Sequence, residues 1–416
     1  MMVRRRLTEL TSKSQHGSVV VGLDVGTTKI CAVVGELIEG ELEIRGISTS
    51  ASTGLRKGMV VNIESTVESI KNAVKTAESI TGVEINAVYL GITGGHIKGF
   101  NSYGAVGLRG KEVAYVDVER VIDSAKAVYV PLDREVLHVI PTGYILDGQN
   151  GIRDPVGMMG VRLEAKVYIV TGAVTSVQNL LKCCEKVGLE VVDIVFEPIA
   201  SAEAVLTDDE KELGVAIVDI GGGTTDIILY KDGSLRHTSV LAIGGNHFTN
   251  DIAVGLRVSL SEAERVKKSF GSAATSMVSD SEEIDIIQAG QGRKILRRCL
   301  LEIIQPRTEE LLDLIKGELI SCSAYDVAST GVVLTGGCSL LEGLDRMAEA
   351  VLGLPVRIGF PKYIKGCKDI INNPIYATGV GLVLYGSDTE SGRVFYPDVF
   401  TGIFGKMKDW VKGIFR

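Results

Sequence analysis

Residues 215–226 read Val-Ala-Ile-Val-Asp219-Ile-Gly221-Gly222-Gly223-Thr224-Thr225-Asp226, and this stretch decides the fold. Four apolar residues in succession predict a buried strand. The strand ends on an aspartate, and the glycines that follow let backbone approach a ligand closely while their amides remain free to donate. A second strand is expected over 227–230, before the turn at Asp232-Gly233. The pattern occurs once more upstream. An apolar run over 18–23 ends in Asp24-Val25-Gly26-Thr27-Thr28-Lys29, and another run, 29–38, follows at hairpin distance. Either turn alone is compatible with an ordinary hairpin, where Asp, Gly and Thr are common for turn reasons. Two copies in register predict two halves built alike.

The chemistry expected of such turns is phosphate binding. Amides of Gly26, Gly221, Gly222 and Gly223 and hydroxyls of Thr27, Thr28, Thr224 and Thr225 are donors for phosphate oxygens, and Lys29 supplies a compensating charge. Asp24 and Asp219 repel phosphate directly but suit a hydrated Mg²⁺ held through water, with no direct protein ligand. A third glycine turn, Thr335-Gly336-Gly337, follows the apolar run 332–334 and opens a helix, which suits backbone passing close to a nucleoside. Glu264 and Lys267 share one face of a helix expected over 261–270 and could bracket ribose and adenine; a plain intrahelical ion pair is the alternative.

Between the halves, helical spacing over 67–80, 118–127 and 176–187 alternates with strand-like runs at 88–91, 166–170 and 191–195. That alternation predicts an α/β core with helices packed on sheets. Helices are expected over 261–270, 296–315 and 340–351, and the polar stretch 271–283 reads as a surface loop. The apolar pattern dissolves after Leu384 into Gly386-Ser387-Asp388-Thr389-Glu390-Ser391-Gly392, a linker composition.

Composition narrows the function classes. The chain has 416 residues, 45% of them hydrophobic, and a formal net charge of -8. It is long enough for several subdomains, and its acidity argues against general nucleic-acid binding, which needs a clustered basic surface. Seven cysteines with no C-x-x-C pair read as reduced thiols rather than a metal site. The polar start, with Arg4, Arg5 and Arg6, lacks the apolar core of a secretory signal. No apolar run has the roughly 18 to 20 residues that span a bilayer.

The tail carries a different signal. Phe400, Ile403, Phe404, Met407, Trp410, Val411, Ile414 and Phe415 recur at helical spacing, and Lys406, Lys408, Lys412 and Arg416 take the other arc with Asp409. A short helix with the chain's single Trp on its apolar face and lysines opposite suits an anionic membrane interface, not a span.

The two Asp turns, the helix with Glu264 and Lys267, and the third glycine turn, in this order, resemble the superfamily of actin, sugar kinases and heat-shock-chaperone ATPases over about 17–386. Within it, VVVGLDVGTT (19–28), LHVIP (137–141), NGIRDPVGMMGVRLEAK (150–166) and VVLTGG (332–337) look like the bacterial cell-division actin homologues, the FtsA family. The resemblance implies duplicated actin-like (ribonuclease H-like) α/β domains around a cleft for ATP and Mg²⁺. A first domain over 17–84 and 166–205 is expected to carry an inserted α+β subdomain at 85–165. A second domain is expected over 206–245 and 316–386, with an upper subdomain at 246–315. A disordered start at 1–16, a linker at 387–399 and a membrane helix at 400–416 complete the expectation. It further implies head-to-tail polymerisation on the cytoplasmic face of the inner membrane at the division site. Later division proteins would be recruited through the insertion, and the acidic tail of the tubulin homologue FtsZ would bind near Arg293, Arg297 and Arg307. The nucleotide would act as a switch with at most slow hydrolysis, and no catalytic residue stands out. A small-molecule kinase and a pilus- or rod-type actin homologue are the rival readings.

Overall fold

The structure, a computed structural model, describes residues 18–279, 281–362, 364–367 and 372–390. The first expected hairpin forms Ser18–Val25 against Lys29–Ile38, antiparallel, with Asp24 opposite Cys31. Glu41–Ala51 pairs on its outer side, and the parallel strands Ala87–Ile92 and Glu190–Phe196 extend its inner side. The second hairpin repeats this plan. Val215–Ile220 runs antiparallel to Thr225–Lys231, with Asp219 opposite Asp226. Ser234–Leu241 then pairs outside, and Val332–Thr335 and Val356–Ile358 are parallel inside. The duplication read from the two turns is therefore a duplication of strand order.

Helices cover both sheets, which is why the central strands are continuous apolar runs; every residue of Val215–Ile220 is buried. Ile63–Thr81 illustrates the local logic. Asn62 accepts from the Ser65 amide at its start, Gly82 takes the left-handed conformation that ends it, and Ile70, Ala73, Val74 and Ala77 form the buried face.

The insertion is a four-stranded antiparallel sheet of Lys98–Glu112, Met159–Ala173, Arg134–Leu146 and Gln149–Ile152. Helix Tyr115–Lys126 packs on it around Val121, Ile122, Leu163 and Ile169. Both expected boundaries move inward or outward by most of a strand. Ala87–Ile92 belongs to the first core sheet, so the insertion begins after 92 rather than at 85, and Met159–Ala173 carries it past 165. The strand expected over 166–170 thus pairs within the insertion.

In the second half, helices Gly245–Leu256 and Leu260–Phe270, the hairpin Glu283–Gln288 with Gln291–Leu296, and helix Arg297–Ser321 form the upper part. The last of these helices runs through the boundary expected at 315. The surface loop expected over 271–283 is buried at its start, where the Ala273 amide and the Ser272 hydroxyl donate to the Glu342 carbonyl.

The chain then returns to the first half, a correction to the assignment of 316–386. Lys365–Gly366 pairs beside Glu41–Ala51. The final helix Ala377–Glu390 lies against the first sheet so closely that a Cβ on Gly22 would sit 2.6 Å from the Gly379 carbonyl oxygen. This helix continues through residues 387–390, so no linker starts at 387. The tail assigned to membrane binding, 400–416, lies outside the described residues, as do residues 1–17. No helix among the described residues is long and apolar enough to cross a membrane.

Candidate functional site

The two turns close in the same way. The Gly26 amide donates to the Lys29 carbonyl over 3.1 Å and the Gly221 amide to the Thr224 carbonyl over 2.9 Å. They also face each other. A Cβ on Gly222 would lie 1.8 Å from Thr28 Oγ1, and one on Gly223 would lie 2.6 Å from Thr27 Oγ1. No side chain other than hydrogen fits there, which is the physical reason for the glycine run. The second turn is pinned from behind, because the Gly245 and Asn246 amides at the start of helix Gly245–Leu256 donate to the Gly221 and Gly222 carbonyls. Asn246 Oδ1 in turn accepts from Thr28 Oγ1 across 3.2 Å, joining the halves.

Between the turns and the upper part of the second half lies a cavity of about 790 Å³, within the range of small-molecule sites. It brings together Asp24, Gly26, Thr27, Thr28, Lys29, Asp219, Gly221, Gly222, Gly223, Thr224, Glu264, Lys267, Gly336 and Gly337, drawn from every expected phosphate and nucleoside segment. Thr225 is the exception. Its side chain is fully buried and donates to the Ile243 carbonyl over 2.9 Å, so it supports the turn from the protein side and is no phosphate donor. The register explains this: Thr225 is already within the second strand, where successive side chains alternate faces.

Half-buried Lys29 and buried Asp24 form an ion pair at 2.8 Å. Burial works against the Lys29 charge, and the Asp24 carboxylate more than restores it. Asp219 Oδ2 accepts from Ser201 Oγ at 2.6 Å and lies 3.4 Å from Thr378 Oγ1. Burial raises the Asp219 carboxyl above the ordinary range, with the Ser201 bond opposing. Gly336, at φ 81, leaves room on the other side; a Cβ there would stand 2.2 Å from Asp219 Oδ1. At the far end, Lys267 Nζ pairs with Glu264 at 2.6 Å and donates to the Gly245 carbonyl and Thr249. Burial opposes ionisation of Glu264, but Lys267 and Thr249 overcome it and hold the carboxyl low.

Two acidic groups at the site were not singled out by sequence reasoning. Asp226 accepts from Thr93 Oγ1 and is pushed up to about 8, chiefly by burial. Glu197 opens helix Glu197–Val205, is 8% exposed, lines the cavity, and has an Oε1 with no hydrogen-bond partner. Burial, then the charges of Asp24, Asp226 and Asp219, hold it well above the usual carboxylate range. A buried carboxyl with an unpartnered oxygen at the cavity wall is a candidate general base. The only local signal was Glu-Pro after an apolar strand; what makes Glu197 special is its three acidic neighbours, all distant in sequence.

The three arginines assigned to an acidic peptide do not make one patch. Arg297 points into the cleft wall, donating to the Phe270 carbonyl and pairing with Glu282 and Glu342. Arg307 lies about 15 Å further along the same helix and is held by Asp251 at 2.6 Å and by Glu310. Arg293 is exposed on the hairpin, bonded to Gln288.

Comparison with known proteins decides the family. The chain is 46% identical over 413 residues to the cell division protein FtsA of Pseudomonas aeruginosa, covering 96% of this chain and 99% of that one. The chain belongs to the FtsA family of cell-division proteins. It is also 40% identical to the FtsA of Escherichia coli K12, over 96% of this chain and 97% of that relative. The family profile described as cell division protein FtsA matches residues 216–381, and that of the SHS2 domain inserted in FtsA matches 94–171, in agreement with the shifted insertion boundaries. Among solved structures, the PilM-PilN type IV pilus biogenesis complex superposes with a TM-score of 0.65 at 17% identity, over 88% of this chain and 98% of that one. MreB5 of Spiroplasma citri bound to ADP superposes with a TM-score of 0.52 at 17% identity, over 90% and 98%. These likenesses establish the actin-like fold; membership of the FtsA family establishes a role in cell division.

Proposed function

We propose that this chain is an ATP-responsive, actin-like filament protein that holds the FtsZ division ring on the cytoplasmic face of the membrane. The observation that carries the reading is the pair of glycine turns, one from each half, that touch each other and together line one wall of the cavity. Amides and hydroxyls along that wall are complementary to a polyphosphate, and the glycine cradle, half-buried Lys29 and two flanking aspartates fit MgATP better than an uncharged ligand. Asp24 and Asp219 would hold Mg²⁺ through its water shell, where it would neutralise phosphate charge. Glu264 and Lys267 would take the nucleoside together with Gly336 and Gly337, which line the same cavity. Glu197 would take a proton from an attacking water; burial and the neighbouring carboxylates favour its neutral form, which would limit turnover and suit a switch-like role.

The membrane part of the reading rests on the amphipathic pattern over 400–416, and a contact that does not close into a ring generates a filament. Later division proteins would use the inserted subdomain. The FtsZ tail would use the upper part of the second half, with exposed Arg293 in place of Arg297, which is mostly covered and paired with Glu282 and Glu342. The test is electron microscopy on anionic lipid monolayers with and without ATP, using the full chain and a chain lacking 400–416. Nucleotide-dependent filaments that need the tail for attachment support the proposal. Filaments indifferent to both overturn it.

A further inference from the structure

Two helices far apart in sequence converge on one carboxylate oxygen. Asp219 Oδ2 is reached by Ser201 Oγ from helix Glu197–Val205 and by Thr378 Oγ1 from the first turn of the final helix, and the two hydroxyls are 3.0 Å apart. All three side chains are buried; Ser201 is fully so. Ser201 stands one helical turn after Glu197, on the same face. The final helix cannot move away from this point without breaking close packing, since a Cβ on Gly381 would fall 1.8 Å from the Ala200 carbonyl oxygen. The two helices therefore meet as backbone on backbone, directly behind the site.

We infer that Ser201 and Thr378 are positioning residues of the nucleotide site, which fix the Asp219 carboxylate for the hydrated cation, and that the final helix is thereby part of that site. The inference rests on the nucleotide reading above. Its chemistry is specific: a carboxylate that accepts two hydroxyl protons on Oδ2 is oriented, and the other oxygen stays beside Gly336 at the cavity wall. Hydrogen bonds to a charged acceptor are the stronger class. Losing one here should act on cation-dependent binding and not on nucleotide contact in general.

The experiment compares wild type, Thr378→Val, Thr378→Ser and Ser201→Ala as full-length proteins, titrating a fluorescent ATP analogue at several Mg²⁺ concentrations and in EDTA. Thr378→Val keeps the shape and removes the hydroxyl. Weakening of about tenfold in Mg²⁺, little change in EDTA, and recovery in Thr378→Ser are expected. Ser201→Ala should behave like Thr378→Val and serves if that variant fails to fold. Hydrogen exchange supplies a second readout: Mg²⁺ with nucleotide should protect the amides of Ala377–Glu390 in wild type and less in Thr378→Val. If wild type shows no Mg²⁺-dependent nucleotide binding, the nucleotide reading itself fails. If wild type binds and the folded variants bind with the same Mg²⁺ dependence, the positioning role is overturned.

Discussion

Thr93 Oγ1 donates to Asp226 Oδ1 across 2.5 Å, a bond between the end of a first-half strand and the second-half hairpin. Burial holds this carboxyl protonated up to about 8, whereas an unfolded aspartate ionises near 4. The sign follows from linkage: the folded protein retains a proton that the unfolded chain releases, so stability contributed by Asp226 falls as pH rises from about 4 to about 8. Asp226→Asn should therefore raise the melting temperature at pH 8 relative to wild type, with the gain fading toward pH 5. A gain independent of pH in calorimetry of the nucleotide-free protein would contradict the assignment.

Gly222→Ala tests the contact between the turns. The added methyl would overlap Thr28 Oγ1, so the cleft must open or Thr28 must rotate, at a cost of about 1–3 kcal/mol. Nucleotide affinity should fall at least tenfold while circular dichroism remains unchanged. Thr28→Ala in the same chain should restore part of the affinity, because it removes the clashing atom.

Glu197→Gln separates binding from hydrolysis. The amide keeps the shape and loses the base, so ATP turnover should drop by a factor on the order of 10² or more with nucleotide affinity preserved. Removing a buried carboxyl that three acidic neighbours push upward should also raise thermal stability at pH 8. Unchanged phosphate release would remove Glu197 from the reaction.

Gly381→Ala probes the packing of the final helix. Its Cβ has no room before the Ala200 carbonyl, and a loss of about 1–3 kcal/mol or more in urea unfolding is expected. By comparison, Gly82→Ala, at a left-handed cap with no neighbour within 4 Å, should cost only its backbone strain, about 1 kcal/mol.

The duplicated hairpins were legible because each uses a local grammar: apolar strand, aspartate, glycine turn, strand. The Glu264–Lys267 ion pair was legible for the same reason, lying one turn apart on a single helix. The features that sequence reading misplaced are set by pairing at long range. Nothing local distinguishes Ala87–Ile92, in the core sheet, from Lys98–Glu112, in the insertion; only their partners do. The final helix begins Ala377-Thr378-Gly379-Val380-Gly381, a poor helical sequence that holds because its glycines admit two neighbouring backbones. Arg297 looked like a member of an exposed basic cluster, and it is the fold that supplies Glu282 and Glu342 as its partners.

The repeated hairpins also differ, position by position, in a way that gives the cleft a direction. Where the first copy places Lys29, the second places Thr224, and Cys31 opposite Asp24 stands where Asp226 stands opposite Asp219. Two identical turns would receive a chain of phosphates from either end equally well. With cation on one side and the extra acid on the other, the two orientations are not equivalent, and the cleft itself reads which end of a phosphate chain enters from which half.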